Sequence, residues 1–83
     1  MEEQMTTQES GAILLDVRPD LARGDEPFAR IMQAAASVKE GQALVIIAPF
    51  EPVPLYGVLA AQGFTHETRQ AGAAEWVVRF VRS

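Results

Sequence analysis

Residues 23–32, RGDEPFARIM, have the composition of a loop that leads into a helix. Pro27 suits the first turn of a helix, where its missing N–H is not needed, and Asp25 or Glu26 can accept hydrogen bonds from the free N–H groups there. A helix start can instead activate a thiol or bind an anion, because its N–H groups and dipole favour negative charge. Here carboxylates occupy that position, so we predict a capped helix start without a reactive group.

Two arginines leave an anion site at this helix start as an alternative. Arg18 and Arg23 flank it in sequence, but Asp25 and Glu26 already supply negative charge there, so capping is our preferred interpretation. Asp16 and Arg18 lie two residues apart on the predicted first strand and point the same way. They form either a polar patch at the edge where open α/β sheets bind ligands or a solvent-exposed ion pair of small energetic value, and we favour the ion pair.

The residue types needed for covalent or metal chemistry are scarce. The chain has no cysteine, which excludes disulfides, thiolate metal sites and thiol nucleophiles. Its single histidine, His66, stands beside Glu67, and this pair cannot supply the three or four converging ligands that zinc needs. Ser10, Ser37 and Ser83 are too dispersed for a Ser-His-Asp triad. We therefore expect no cofactor, no metal and no stand-alone catalysis.

Charge and hydropathy narrow the classes of partner. A formal charge of −4 with seven Lys and Arg residues argues against nucleic acid, which binds clustered basic side chains. No apolar stretch approaches the roughly 18 residues that span a bilayer, and the acidic residues 1–10 do not resemble a secretion signal. We expect a cytoplasmic protein that binds a protein partner or a small ligand, and neither nucleic acid nor a membrane.

Length and periodicity predict a flexible N-terminus, residues 1–11, followed by a single α+β domain, residues 12–83. The order β-α-β-α-β-β with right-handed crossovers gives a two-layer α/β sandwich, in which a four-stranded mixed sheet carries both helices on one face. Strands are predicted at 12–17, 43–48, 65–70 and 75–82, and helices at 26–39 and 54–62, the first helix ending at Gly41 and the second at Gly63.

The sheet face without helices is also apolar in part. Leu14, Val77 and Val81 alternate onto the side opposite Leu15 and Val78. Such a face commonly receives a partner, although scattered surface valines on a small protein are an equal alternative. We predict self-association, most simply as a two-fold homodimer, through this face or through an exposed strand edge.

Several short motifs occur together in this chain: LLDVR in the first strand, Pro27, EGQALVIIA, the P-x-P-L of Pro52, Pro54 and Leu55, and the terminal EWVVRF. Together they resemble the TusA or SirA-like sulfur carriers, and more closely an uncharacterised cysteine-less sister family of the same fold. The carriers open their first helix with Cys-Pro-x-Pro. Aligned on Pro27, that cysteine falls on Gly24 and the first proline on Asp25, so the resemblance implies that this chain cannot carry a persulfide by itself.

The resemblance to the sister family bears on metal binding as well. Many members carry an Asp-His-Asp type of stretch before the P-x-P-L motif, and some are joined to hemerythrin-like iron domains. The corresponding residues here are Pro49, Phe50 and Glu51, which lack the histidine and one acid. A metal role inferred from these relatives therefore has no matching ligands at this position.

Two functional hypotheses follow. The first is a non-catalytic binding or regulatory module that docks on a protein partner or small ligand through the loop before the first helix and the loop with three prolines. The second is an accessory component of a sulfur-transfer or redox system, including an iron or hemerythrin-associated one, with the reactive group on a partner. The candidate binding surface consists of Asp16, Arg18, Arg23, Gly24, Asp25, Glu26, Glu51 and Tyr56.

Overall fold

The computed structural model describes residues 12–83, so the flexible N-terminus predicted for residues 1–11 lies outside the described part of the chain. Four strands and three helices follow one another along these residues. No helix among residues 12–83 is long and apolar enough to cross a membrane. The elements are β1 (Ala12–Asp16), α1 (Arg18–Ala22), α2 (Phe28–Ser37), β2 (Ala43–Ala48), α3 (Val53–Ala60), β3 (Phe64–Gly72) and β4 (Glu75–Arg82).

The strands form one mixed sheet in the order β1-β2-β4-β3. β1 and β2 are parallel, whereas β4 runs antiparallel to both of its neighbours, β2 and β3. β2 lies inside the sheet and is apolar throughout, as its uninterrupted run ALVIIA predicts. The four-stranded mixed sheet expected from the sequence is therefore confirmed.

A single hydrophobic core joins the helices to one face of the sheet. Ile31 and Ala35 of α2 and Leu55 and Leu59 of α3 are buried in the same cluster as the sheet residues that point toward them. This arrangement confirms the two-layer α/β sandwich. The sheet residues of the cluster are Leu44, Ile46 and Ala48 of β2, Phe64 of β3, and Val78 and Phe80 of β4.

The short helix α1 corrects the sequence analysis, which placed Arg18 on the first strand. β1 ends at Asp16, and Arg18 begins α1. Pro19, which suggested only a strand end, lies at the start of α1, where a residue without an N–H is tolerated and its fixed φ suits a helix. A helix of five residues is too short to show a hydrophobic period, so the pattern could not predict it.

Two turns also differ from the prediction. α2 ends at Ser37, and Gly41, predicted to end that helix, lies instead at φ +84° in the turn before β2. The N–H of Gly41 donates to the carbonyl of Arg82, so the glycine joins that turn to the end of β4. β3 continues to Gly72 through a bulge, which moves the hairpin turn to residues 73–74.

Arg82 fastens the end of β4 to the helix layer. Its guanidinium donates to the carbonyls of Ala35 (2.9 Å), Val38 (2.6 Å) and Gln62 (3.1 Å). The same group lies 4.5 Å from the centre of the Phe64 ring, a cation–π contact. Ala35 and Val38 lie at the end of α2, where no further helical turn follows. The arginine is a partner for the Val38 carbonyl and a second donor to the Ala35 carbonyl, which also accepts the Val38 N–H.

Candidate functional site

A pocket of about 190 Å³ lies where β1 and β2 end, between α1, the start of α2, the proline loop (residues 49–52) and the start of α3. We call it the helix-start pocket. Its lining is almost wholly apolar and includes one ionisable side chain, Glu26. The residues that line it are Val17, Leu21, Glu26, Pro27, Phe28, Ile31, Ile46, Ala48, Phe50, Pro52, Pro54 and Leu55.

The topology explains why the pocket forms at this edge. β1 and β2 are parallel, so their carboxyl ends meet at the same side of the sheet, where open α/β sheets commonly bind ligands. Val17 follows β1 and Ala48 ends β2, and both are buried. Ala48 contributes only a methyl group, which leaves space that a larger side chain would fill. Pro52 stiffens the loop that closes the opposite side, and Pro54 lies in the first turn of α3.

Two aromatic side chains that line the pocket face solvent. Phe50 is 53% exposed and Phe28 is 42% exposed, unusually large values for side chains of this size in a small domain. Glu26 also lines the pocket, and its Oε1 accepts a hydrogen bond from the backbone N–H of Phe28 at 2.9 Å. This bond occupies one of the free N–H groups at the start of α2, as capping by Glu26 requires.

The neighbouring loop does not contribute to the pocket lining. Asp25, the other predicted cap, pairs instead with Arg23, whose Nε lies 3.0 Å from Asp25 Oδ2. Gly24 stands between them at φ +83°, a backbone conformation that favours glycine, and a Cβ added there would meet no atom within 4 Å. The position aligned with the carrier cysteine is therefore an exposed and conformationally restricted turn.

Asp16 and Arg18 form the predicted ion pair at the end of β1. Arg18 donates from Nε to Asp16 Oδ1 at 3.0 Å and from Nη2 to Oδ2 at 2.8 Å, and its backbone N–H also reaches Oδ1. These hydrogen bonds hold the pKa of the Asp16 carboxyl below its usual 3.8, against the opposing effect of its partial burial. The more distant Glu75 lies 3.9 Å from the same guanidinium.

Glu51 and Tyr56 form a separate polar cluster beside the proline loop. The Tyr56 hydroxyl donates to Glu51 Oε2 at 3.0 Å and lies 2.6 Å from Thr68 Oγ1. Burial raises the pKa of the Tyr56 phenol, and its hydrogen bond to the Glu51 carboxylate adds to the increase, while Thr68 opposes it. The ring of His66 stacks on that of Tyr56, with centroids 3.9 Å apart. The cluster ties the proline loop to β3.

The ligands and the volume of the pocket set what it could hold. Among residues 12–83, no three His, Cys, Asp or Glu side chains converge as a metal site would require. A dry apolar cavity of about 150 Å³ accommodates benzene, so the helix-start pocket is large enough for one aromatic or branched aliphatic side chain.

One residue of the pocket lining, Glu26, was predicted from the sequence, whereas its apolar lining residues were not. Of the eight candidates, Glu26 lines the pocket, whereas Asp16 and Arg18, Arg23 to Asp25, and Glu51 with Tyr56 form three other groups. Phe50 could have indicated the pocket. It is a large apolar residue in a segment with three prolines, which cannot form a regular strand or helix that would bury it.

Comparison with protein families matches residues 14–82 to the family described as "Uncharacterized conserved protein (DUF2249)". No curated protein and no solved structure matches the chain. The family match spans nearly the whole chain and confirms the predicted membership of an uncharacterised family, while the resemblance to the sulfur carriers stays a prediction. With residues from β1 to the end of β4 inside the match, this chain belongs to the DUF2249 family.

Proposed function

We propose that this chain is a non-catalytic binding module whose helix-start pocket receives an apolar side chain of a partner protein or the apolar group of a small ligand. The observation that carries the proposal is an apolar pocket with the half-exposed rings of Phe28 and Phe50 in its lining. A partner that enters the pocket would also cover these rings. Aromatic side chains beside a pocket are typical centres of binding energy in protein interfaces.

The size of the pocket sets the strength of binding. Burying one aliphatic or aromatic side chain contributes about 1.5–3 kcal/mol, which corresponds to no better than about millimolar affinity for an isolated group after the cost of association. A physiological partner therefore needs further contacts around the pocket. The loop of Arg23 to Asp25, which is exposed beside the start of α2, is available for them.

The absence of catalysis by this chain is part of the same proposal. The chain has no cysteine, and the carboxylate that lines the pocket, Glu26, accepts a hydrogen bond from the Phe28 N–H. A lone carboxylate engaged in this way lacks the nucleophile or second acid that hydrolytic mechanisms require. A cytoplasmic location is part of the same proposal.

The resemblance to the TusA or SirA-like carriers supports an alternative, in which the chain assists sulfur-transfer or redox chemistry performed by a partner. At Gly24, the position aligned with the carrier cysteine, an added Cβ has open space around it, but the positive φ strains any side chain. We expect Gly24→Cys to fold with a loss of about 1–2 kcal/mol, owing to its positive φ. Its thiol should be no more acidic than the usual pKa of about 8.5, because the charges of Asp25 and Glu26 oppose the effect of the helix start. A thiolate absorbance titration giving a pKa below about 7 would favour the alternative.

Saturation-transfer NMR with N-acetyl-leucine methylamide as the probe tests the main proposal. We expect transfer from the protein to the leucine methyl groups of the probe at millimolar concentration. Phe50→Glu should abolish it, because the variant places a charge in the pocket lining. Val53→Glu is the matched control, since Val53 is 55% exposed, lies three residues away and does not line the pocket. No transfer to the wild type, or equal loss in both variants, would contradict the proposal.

A further inference from the structure

The open face, the side of the sheet opposite the helices, carries an apolar area across β1, β2 and β4. Strand register places Leu14, Val45 and Arg79 in one row across the sheet, with Ile47 and Val77 in the adjacent row. Leu14 is 64% exposed, the highest value among the large hydrophobic residues of the described chain. No helix of residues 12–83 covers this face, because α2 and α3 both pack on the other one.

The β3 half of the open face is charged. Glu67 lies directly opposite Arg79 in the register, and Arg69 lies opposite Val77. These side chains border a shallow depression that Val45 also lines. The face thus divides into an apolar half on β1 and β2 and a half on β3 and β4 in which charged and apolar residues alternate.

The charges of the open face balance, although those of the chain do not. The open face, together with the sheet edge where β1 ends, carries three acidic and three basic residues. Their formal charges sum to zero, whereas the whole chain carries −4. A second copy would therefore meet no net repulsion at this face, and a polyanion would find no net attraction. The acidic residues are Asp16, Glu67 and Glu75, and the basic ones are Arg18, Arg69 and Arg79.

We infer that the open face binds a second copy of this chain in a two-fold dimer. An axis across the strands, along the row from Leu14 to Glu67, stacks each strand on its own counterpart in the opposite direction. Apolar β1 and β2 then cover their equivalents. The two Arg79 and two Glu67 side chains meet around the axis as one neutral group of four charges, in which each Arg79 lies beside Glu67 of its own copy and diagonally across from Glu67 of the other. Face-to-face sheets lie about 10 Å apart, a gap that arginine and glutamate side chains together can bridge.

The dimensions of the face indicate a weak dimer. Four strands about 4.8 Å apart and up to about 26 Å long give a face of roughly 500 Å² per copy, or about 1,000 Å² in total. This area lies at the lower limit for specific interfaces, so we expect dissociation at about ten to a few hundred micromolar. The inference is independent of the helix-start pocket, which lies at the edge of the sheet among the helices.

Sedimentation equilibrium tests the apolar half first. The wild-type mass should rise from 9.0 kDa toward twice that value with concentration. Leu14→Glu should remain monomeric with an unchanged thermal midpoint, because Leu14 is already mostly exposed. Val58→Glu, which places the same charge at a 37% exposed valine of α3, should still dimerise. A wild type that stays monomeric at about one millimolar, even one that binds another protein through this face, would overturn the inference.

Charge exchange tests the grouping of Glu67 and Arg79 around the axis. Glu67→Arg gathers four arginines there, and Arg79→Glu gathers four glutamates, so each variant alone should be monomeric. An equimolar mixture of the two should dimerise, because each variant supplies the charge that the other lacks. The inference fails for this geometry if either variant dimerises alone as well as the wild type does, or if the mixture stays monomeric.

Discussion

The helix-start pocket and the open face are both apolar, but the chain builds them in different ways. The pocket collects single residues from segments distant in sequence, such as Leu21, Phe28 and Phe50, around a concave space. The open face consists of alternate residues on neighbouring strands and is nearly flat. A concave site can hold one small group with few contacts, whereas a flat face needs a large partner to bury a useful area. The two surfaces therefore suit different partners.

The largest difference in stability is expected between two neighbouring residues of β2 that point to opposite faces of the sheet. Ile46 is fully buried under the helices, whereas Val45 points to the open face and is partly exposed. We expect Ile46→Ala to lower the free energy of unfolding by about 2–5 kcal/mol through lost burial and a cavity, and Val45→Ala by about 1 kcal/mol or less. Urea denaturation of both variants measures the difference. Equal losses would mean that the open face is as well packed as the core.

A smaller effect is expected at the polar cluster that fastens the proline loop. Tyr56→Phe removes the hydroxyl bonded to Glu51 and Thr68 but keeps the ring that stacks on His66. We expect a loss of about 1 kcal/mol in stability. Binding of the N-acetyl-leucine methylamide probe should weaken as well, because the loop with Phe50 and Pro52 loses its attachment to β3.

Ser37→Ala is the control for this variant, since Ser37 donates from an exposed helix surface to the carbonyl of Gln33. It should leave both stability and probe binding nearly unchanged. Probe binding that is the same for Tyr56→Phe as for the wild type would show that the pocket wall does not depend on the cluster.

The smallest effect is expected at the end of β1, beside the open face. Arg18 lowers the pKa of Asp16 below 3.8 in the folded chain, so the carboxylate contributes stability above that pH and loses it as the pH falls through the lowered value. Asp16→Asn keeps an oxygen acceptor for Arg18 and removes the charge. The variant should melt slightly below the wild type at neutral pH, and the difference should shrink as the pH falls below 3.8, which thermal unfolding at several pH values measures. A difference that persists in acid would exclude the charge as its cause.

The parts of the fold that could be predicted from the sequence are those with a local and repeated hydrophobic pattern. The uninterrupted ALVIIA indicated an inner strand, and the alternation of EWVVRF assigned Val77 and Val78 to opposite faces. The open face was predictable for the same reason. The five residues of α1 span little more than one turn and carry no hydrophobic period, so only the tertiary structure reveals that helix.

The pocket was largely beyond sequence analysis, because its lining depends on which distant segments meet. Glu26 was identified through its position before a helix, a local signal that the hydrogen bond to Phe28 bears out. Leu21, Ile31 and Leu55 have the patterns of ordinary core residues, and nothing local distinguishes a core residue that borders a cavity from one that does not. Charged residues attracted attention in the sequence, whereas the site is formed mainly by apolar ones.

The central claim is that the two apolar surfaces are separate binding sites, one for a small apolar group and one for a second copy. Amide NMR spectra of one labelled sample test it directly, first on dilution and then on addition of N-acetyl-leucine methylamide. Dilution should shift the amides of Val45 and Arg79 and leave those of Phe28 and Leu55 in place, while the probe should do the reverse. Shifts of Phe28 and Leu55 on dilution, or of Val45 and Arg79 on probe addition, would contradict the account.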